Sequence, residues 1–192
     1  MTDNLINNIH EFFNNKKVRK TFLKLRLPIG LLCLIFIATL IKPAWFFPGL
    51  LVSILGEAFQ VWCLSTIKTQ KNLTVTGPYM FMRNPMYIGR FFLVFGILMM
   101  TGNIWIMLAF AALYYFYMVN RVKREEKVLS ELFGKDYEDY CRDVNRYLPG
   151  FKRFDKNQLK SFNRESMTQN NVMINIVAAL ACYIVLFITT FI

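Results

Sequence analysis

The chain contains a single histidine, His10, and it lies in the N-terminal arm. A Ser-His-Asp triad, or a metal held by histidine among the apolar segments, is thereby excluded. Cysteine is sparse as well: Cys33, Cys63, Cys141 and Cys182 are widely scattered with no C-x-x-C pair. Three of them lie in or near apolar runs, where cysteine packs as a small hydrophobe, so neither a disulfide framework nor a zinc site is expected. There is no glycine-rich nucleotide loop and no βαβ pattern to host one, which removes a Rossmann-type cofactor site. Acidic residues are few, 12 Asp and Glu against 23 Lys and Arg, for a formal charge of +11. The basic residues flank apolar segments and form no nucleic-acid motif, so nucleic acid is not an expected partner.

What is abundant is apolar. Hydrophobic residues make up 55% of 192 positions, with 19 Phe and 9 Tyr, and the mean hydropathy of +0.34 exceeds that of ordinary soluble domains. The composition predicts an all-α, multi-pass integral membrane protein. A helix needs about 20 apolar residues to cross the hydrocarbon, fewer where neighbours or snorkelling ends help. Five apolar runs qualify: Leu27 to Ile41, Phe47 to Ile67, Pro85 to Thr101, Ile104 to Val119, and Val172 to Ile192. The third and fourth are short and joined only by Gly102-Asn103, which reads as a tight helical hairpin. A cleaved leader is not expected, because the first apolar run begins only at Leu27 and lacks a small-x-small site.

Loop charge orients these segments, since cytoplasmic loops collect Lys and Arg. Lys16, Lys17, Arg19, Lys20, Lys24 and Arg26 precede the first run; Lys42 alone follows it; Lys68, Lys71 and Arg83 come after the second. The hairpin tip is uncharged, and the stretch from Arg121 to Asn171 carries twelve basic residues. Five crossings alternate without conflict, with the N-terminus cytoplasmic and the C-terminus on the opposite side. Concentrated on one face, this charge reads as the positive-inside pattern with an attraction to an anionic lipid surface, or as a hold on an anionic substrate headgroup.

Polar and backbone-special residues crowd against the apolar runs in two places. The first is Gly77-Pro78-Tyr79 leading into Arg83-Asn84-Pro85-Met86-Tyr87-Ile88-Gly89. Asn is a strong N-cap, Pro is favoured at the first helical position, and the residue before Pro is biased out of the helical region. A helix is therefore predicted to start at Pro85, with Asn84 as its cap. Its free N–H groups and positive dipole end suit a carboxylate or phosphate, with Arg83 and Arg90 beside them. Gly77 and Gly89 permit close backbone approach, and Tyr79 and Tyr87 add hydroxyls. A well-capped transmembrane helix with interfacial aromatics accounts for the same residues.

The second place is Arg124-Glu125-Glu126. On a helix of about 100° per residue, Val122, Val128, Leu129, Leu132 and Phe133 share a face, and Glu125 and Glu126 fall within it. Either the pair is neutralised locally, with Arg121 at the i,i+4 position from Glu125, or it binds a cation. The absence of His and Cys partners and of a repeated carboxylate pattern argues against a metal. Gly134 is expected to end this helix. Beyond it Tyr137, Tyr140, Val144 and Tyr147 recur at helical spacing, which predicts an amphipathic interfacial helix closing at Pro149-Gly150. Glu57, with Gln60 on the same face of the second run, is a further intramembrane candidate, for function or for a structural pairing such as with Arg90.

Taken together, Thr76-Gly77-Pro78-Tyr79, Arg83-Asn84-Pro85-x-Tyr87-x-Gly89, Glu125-Glu126-x-x-Leu129-x-x-x-Phe133-Gly134-x-x-Tyr137-x-x-Tyr140 and Tyr147-x-Pro149 resemble the isoprenylcysteine carboxyl methyltransferase family, whose relatives include phospholipid methyltransferases. The resemblance covers about residues 50 to 150. The family pattern has His where this chain has Asn84, and the chain continues past Pro149 into a further apolar helix. The resemblance implies S-adenosylmethionine as methyl donor, without a metal, bound through Gly77, Tyr79, Asn84, Pro85, Tyr87, Gly89, Glu125 and Glu126, with Arg83, Tyr87 and Glu126 as the catalytic set. The chain is expected to divide into a basic cytoplasmic N-terminal arm (1–26), a membrane methyltransferase core (27–150), a polar linker (151–171) and a C-terminal transmembrane helix (172–192).

A carboxylate or phosphate acceptor is already an anion at neutral pH and needs no general base. The missing histidine therefore favours O-methylation of an anionic lipid headgroup or lipid-modified group. A prenylcysteine carboxylate, a lipid phosphate and, by N-methylation, a phospholipid amine are the acceptors in view. Two other classes compete. A nicotinamide-dependent lipid reductase shares the architecture but would need a basic site for a second phosphate group. A non-enzymatic small transporter or scaffold would rest on Glu57 and Gln60 instead.

Overall fold

The computed structural model describes residues 11, 15–67 and 72–192, and these are helical, with no strand among them. Helix α1 runs Lys16–Ala38, α2 Pro43–Thr66, α3 Pro85–Met99, α4 Ile104–Phe133, α5 Lys135–Asp143, α6 Arg164–Gln169 and α7 Val172–Phe191. Short 3₁₀ turns lie at Gly77–Met80 and Lys156–Gln158. Lys68 and Lys71, used above to orient the chain, lie outside the described residues, as does His10.

Local chemistry sets the boundaries. Pro43 opens α2 and Pro85 opens α3, each after a non-helical residue, where the missing proline N–H costs no helical hydrogen bond. The Asn103 carboxamide accepts from the N–H groups of Trp105 and Ile106 at 3.0 and 3.4 Å and caps α4. Gly102, at φ 57°, makes the turn between α3 and α4 against the Trp45 indole. Gly134, at φ 50°, stops α4 as its sequence position predicted.

Lengths explain where the charged residues end up. The 24 residues of α2 extend about 36 Å, and the 30 of α4 about 45 Å, against a hydrocarbon core of about 30 Å. The apolar run to Val119 and the segment from Arg121 to Phe133 are thus one continuous helix, whose last third projects past the apolar layer. Helices α2, α4 and α7 are long and apolar enough to cross a membrane, while Pro28–Ala38 and Pro85–Met99 are shorter apolar helices. Side chains such as Leu32, Phe36, Leu55, Leu113 and Ile174 are exposed on their outer faces, as expected where lipid replaces water. This is the architecture of an integral membrane protein.

The bundle is tightest where α2 crosses α3. A Cβ added at Gly49, Gly56, Gly89 or Gly96 would meet backbone atoms of the opposite helix, so these four positions let the two backbones touch. Ser53, fully buried on that seam, donates to the Leu93 carbonyl at 2.7 Å and shares a 2.8 Å hydrogen bond with the Tyr183 hydroxyl of α7. At one end Phe46, Met100 and Leu186 form a core cluster from α2, the α3–α4 turn and α7. At the other, Tyr137, Tyr140 and Val144 pack with Leu73, Val75, Leu129 and Phe133.

The amphipathic helix expected to reach Pro149-Gly150 stops at Asp143. Val144 is extended, and the irregular strap that follows finds its backbone partners elsewhere. The Arg83 N–H donates to the Asn145 carbonyl at 2.9 Å, and the Gly150 N–H to the Phe81 carbonyl at 2.8 Å. The strap thus lies along the entrance to α3. Tyr147 sits on it rather than on a helix.

Candidate active site

The two halves of the sequence signature meet. Residues 77–89 supply the 3₁₀ turn and the first turn of α3; Arg121 to Glu126 come from the projecting end of α4; the strap brings Arg146. Glu126, 9% exposed, is the hub. Its Oε1 accepts from the Asn84 amide at 3.0 Å and lies 3.2 Å from Arg83 Nε, an ion pair without hydrogen-bond alignment. Its Oε2 accepts from Arg146 Nε at 2.9 Å and NH2 at 2.6 Å. Charge-assisted contacts of this kind are the strong ones.

Glu125 is held differently. Its Oε1 accepts from Arg121 Nε at 2.7 Å, the i,i+4 pair legible in the sequence, and its Oε2 accepts from the Tyr87 hydroxyl at 2.6 Å. Its side chain keeps 37% exposure. Tyr87 is in turn fixed through its backbone carbonyl, which accepts from the Tyr114 hydroxyl at 2.7 Å.

Asn84 occupies the position before α3, but its side chain makes no capping bond. The amide is spent on Glu126 and, at 3.4 Å, on the Arg146 carbonyl. The carboxamide is oriented by its charge-assisted bond to the buried carboxylate, and its Oδ1 accepts no N–H of the first turn of α3. Asn84 therefore joins the two halves instead of capping the helix.

Beside this network lies a cavity of about 620 Å³, lined by the polar residues Arg83, Arg121, Arg124, Glu125, Asn72 and Asn170 and by the apolar Met86, Val128, Leu129, Leu132 and Phe133. Tyr79, Tyr137 and Tyr140 also line it. The volume and the mix of apolar wall with a few polar groups suit a small-molecule site. The buried Tyr79 hydroxyl has no hydrogen-bond partner in the structure, and the Tyr137 hydroxyl has none of good geometry. Burial pushes both hydroxyls to higher pKa, so they remain protonated donors at neutral pH. The Tyr140 hydroxyl, shifted the same way by burial, donates to the Tyr79 carbonyl at 2.7 Å. Arg146 is held in its charged form chiefly by its hydrogen bonds to Glu126.

Of the residues singled out in the sequence, Tyr79, Arg83 and Glu125 line the cavity. Tyr87 stands behind them through its hydrogen bond to Glu125, Glu126 through its ion pair with Arg83, and Asn84 through its bond to Glu126. Pro85 opens α3. Gly77, at φ 60°, leaves no room for a Cβ beside Thr66 and Ser161, and Gly89 packs on Gln60 of α2; both serve close packing here. Glu57 and Gln60 each keep a buried Oε1 without a hydrogen-bond partner, and the Arg90 guanidinium lies over the Tyr87 ring, 5.8 Å from its centroid. Sequence reasoning missed Arg146, Asn72 and Asn170. Only Arg146 carried a signal, as the basic residue just before Tyr147-x-Pro149.

Comparison with known proteins bears on the same segment. Residues 49–136 match the phospholipid methyltransferase family. The chain is 30% identical over 94 residues to a protein-S-isoprenylcysteine O-methyltransferase of Schizosaccharomyces pombe, covering 49% of this chain and 40% of that one. It is 28% identical over 123 residues to a probable protein-S-isoprenylcysteine O-methyltransferase of Oryza sativa subsp. indica, covering 57% and 64%. It is also 30% identical over 122 residues to the nickel-cobalt-cadmium resistance protein NccN of Alcaligenes xylosoxydans xylosoxydans, covering 60% and 55%. The chain therefore spans between 40% and 64% of the length of these relatives. No solved structure matches.

Proposed function

We propose, from the match of residues 49–136 to the phospholipid methyltransferase family and the similarity to protein-S-isoprenylcysteine O-methyltransferases, that the protein is an S-adenosylmethionine-dependent methyltransferase. The observation that carries the reading is the cavity beside the Glu125–Glu126 network, which offers cationic, anionic and apolar walls within one volume of about 620 Å³. Its residues fit the donor's chemistry. When bound, S-adenosylmethionine supplies an electrophilic methyl group on a sulfonium.

Arg83, Arg121 and Arg124 line the cavity and suit the donor's carboxylate. Glu125, half-exposed and on the cavity wall, takes the ammonium end. Tyr79 and Tyr137 donate from hydroxyls that burial keeps protonated, and the tyrosine faces pack an adenine. Glu126 touches Arg83, Asn84 and Arg146 and holds them in register, so it acts as a positioning residue. Asn84 fills the family's histidine position by keeping a hydrogen-bond donor on Glu126, without supplying an imidazole base.

In-line displacement demands alignment of the acceptor atom with the methyl carbon at about 3 Å more than it demands proton transfer. With two carboxylates against Arg83, Arg121, Arg124 and Arg146, the site carries an excess of positive charge that suits an anionic acceptor. We assign a carboxylate or phosphate on a lipid or lipid-modified group, methylated on oxygen. Phospholipid amine methylation is the second reading, favoured by the family matched at residues 49–136. In the membrane, α1, α2, α3, α4 and α7 make five crossings, with the site and N-terminus cytoplasmic. Residues 27–150 then form the catalytic core and α7 an added crossing.

Calorimetry with S-adenosylmethionine on the purified protein tests the donor site, with Glu125→Gln expected to weaken binding at least tenfold. Equal binding by wild type and Glu125→Gln would contradict the assignment.

A further inference from the structure

Between α5 and α6, residues 148–162 turn large apolar side chains outward in a cation-rich segment. Leu148 is 73% exposed, Phe151 72%, Phe154 51% and Phe162 60%. They interleave with Lys152, Arg153, Lys156 and Lys160, Arg164 follows, and Asp155 is the one acid from 148 to 164. These residues belong to none of the long apolar helices, so crossing a membrane does not account for them. Such a cluster marks an interaction surface.

Its position identifies the partner. The segment is fastened at both ends to the level where apolar helices begin or stop. At one end the Gly150 N–H bonds the Phe81 carbonyl at 2.8 Å, and the rings of Phe151 and Phe154 pack on Phe81 at centroid distances of 5.5 and 5.9 Å. At the other, the Asn163 N–H donates to the Ser65 carbonyl at 3.0 Å and the Asn170 amide to the Leu64 carbonyl at 3.0 Å, both in the last turn of α2. Helix α7 starts two residues later, at Val172. Lys152, itself exposed, and the half-buried Arg153 both pair with Asp143 of α5. Lys156, Lys160 and Arg164 face outward and are exposed.

We propose that residues 148–162 are an interfacial anchor for an anionic bilayer. Leu148, Phe151, Phe154 and Phe162 enter the boundary between headgroups and acyl chains, and Lys156, Lys160 and Arg164 meet lipid phosphates. Aromatic and basic side chains together are what such a boundary binds. Because Arg146 lies on the same strap, lipid contact steadies the guanidinium that holds Glu126. The anchor requires the membrane placement of α2 and α7 and does not require the methyl-transfer reading.

The test is amide hydrogen exchange, read by mass spectrometry, on the full chain in nanodiscs of phosphatidylcholine alone and of phosphatidylcholine with equimolar phosphatidylglycerol. Exchange across 148–162 is expected to slow about tenfold or more in the anionic discs. The slowing is expected to vanish in Lys156→Gln/Lys160→Gln and in Phe151→Ser/Phe162→Ser, while α2 and α3 amides keep wild-type protection and report an intact fold. Equal exchange in both discs, or slowing that survives the lysine variant, would overturn the anchor. S-adenosylmethionine calorimetry on the same discs separates the two claims: donor binding without lipid-dependent protection sinks the anchor alone, and protection without donor binding sinks the methyltransferase reading alone.

Discussion

Replacing Glu126 by alanine removes the carboxylate on which Asn84, Arg83 and Arg146 converge. Arg83 is 11% exposed in its side chain and would be left as a buried cation, whereas Arg146, at 42%, can turn to water. Stranding one partner of a buried pair costs about 3–5 kcal/mol, and the partial exposure of Arg146 puts this site near the lower figure, about 3. For a chain of this size the loss corresponds to a drop of roughly 6–12 °C in the unfolding midpoint. Glu125→Gln is the matched control. Its partner Arg121 is 41% exposed, exposed pairs contribute at most about 1 kcal/mol, and the glutamine carbonyl still offers an acceptor to the buried Tyr87 hydroxyl. Thermal unfolding in one detergent, followed by intrinsic fluorescence, compares the two. Glu126→Ala is expected to be much the less stable, and Glu125→Gln to stay near wild type while losing donor affinity. Equal midpoints for the two variants would refute the division into a positioning carboxylate and a ligand-facing one.

Asn84→Leu removes the donor to Glu126 Oε1 and is expected to destabilise by about 1–3 kcal/mol, while Asn84→His, which restores a donor, is expected to unfold near wild type in the same assay. Gly56→Val forces a side chain into the Leu93 and Phe92 backbone and should lower stability by about 1–3 kcal/mol or more. Gly30→Ala, where a Cβ meets open space, should be neutral or slightly stabilising, and reversal of that order by thermal unfolding would discredit the α2–α3 seam. Asp143 is held below the ordinary carboxylate range, first by its hydrogen bond from Lys152 and then by that from Arg153. Its contribution is therefore complete above about pH 4 and lost as pH falls through its lower folded-state value. Wild type should lose stability on acidification relative to Asp143→Asn, and parallel pH profiles would remove Asp143 from the account.

The apolar helices were legible because their signals are local: runs of Leu, Ile and Phe, Pro85 at a helix start and Gly134 as a stop. The Arg121–Glu125 pair was legible for the same reason, being one turn apart on one helix. Asn84 was not, because its local chemistry says cap while a carboxylate 42 residues away claims its amide. The end of α5 was missed for a related reason. Tyrosine spacing continues to Tyr147, but the backbone groups of 145–150 bond Phe81 and Arg83, partners that periodicity cannot reveal. Asn72 and Asn170 reach the cavity from segments far apart in the chain and form no pattern at all. Gly89, which the family resemblance places in the binding motif, also lets α3 pack closely on α2.

The central claim is tested most directly by supplying methyl-labelled S-adenosylmethionine to the protein in native-lipid nanodiscs and following the label. Transfer to a lipid or lipid-modified acceptor is expected, lost in Glu125→Gln, with the label released by mild base as an ester. A folded wild-type protein that neither binds the donor nor transfers its methyl group would contradict the account, and a base-stable methylamine product would replace O-methylation with methylation of a phospholipid amine.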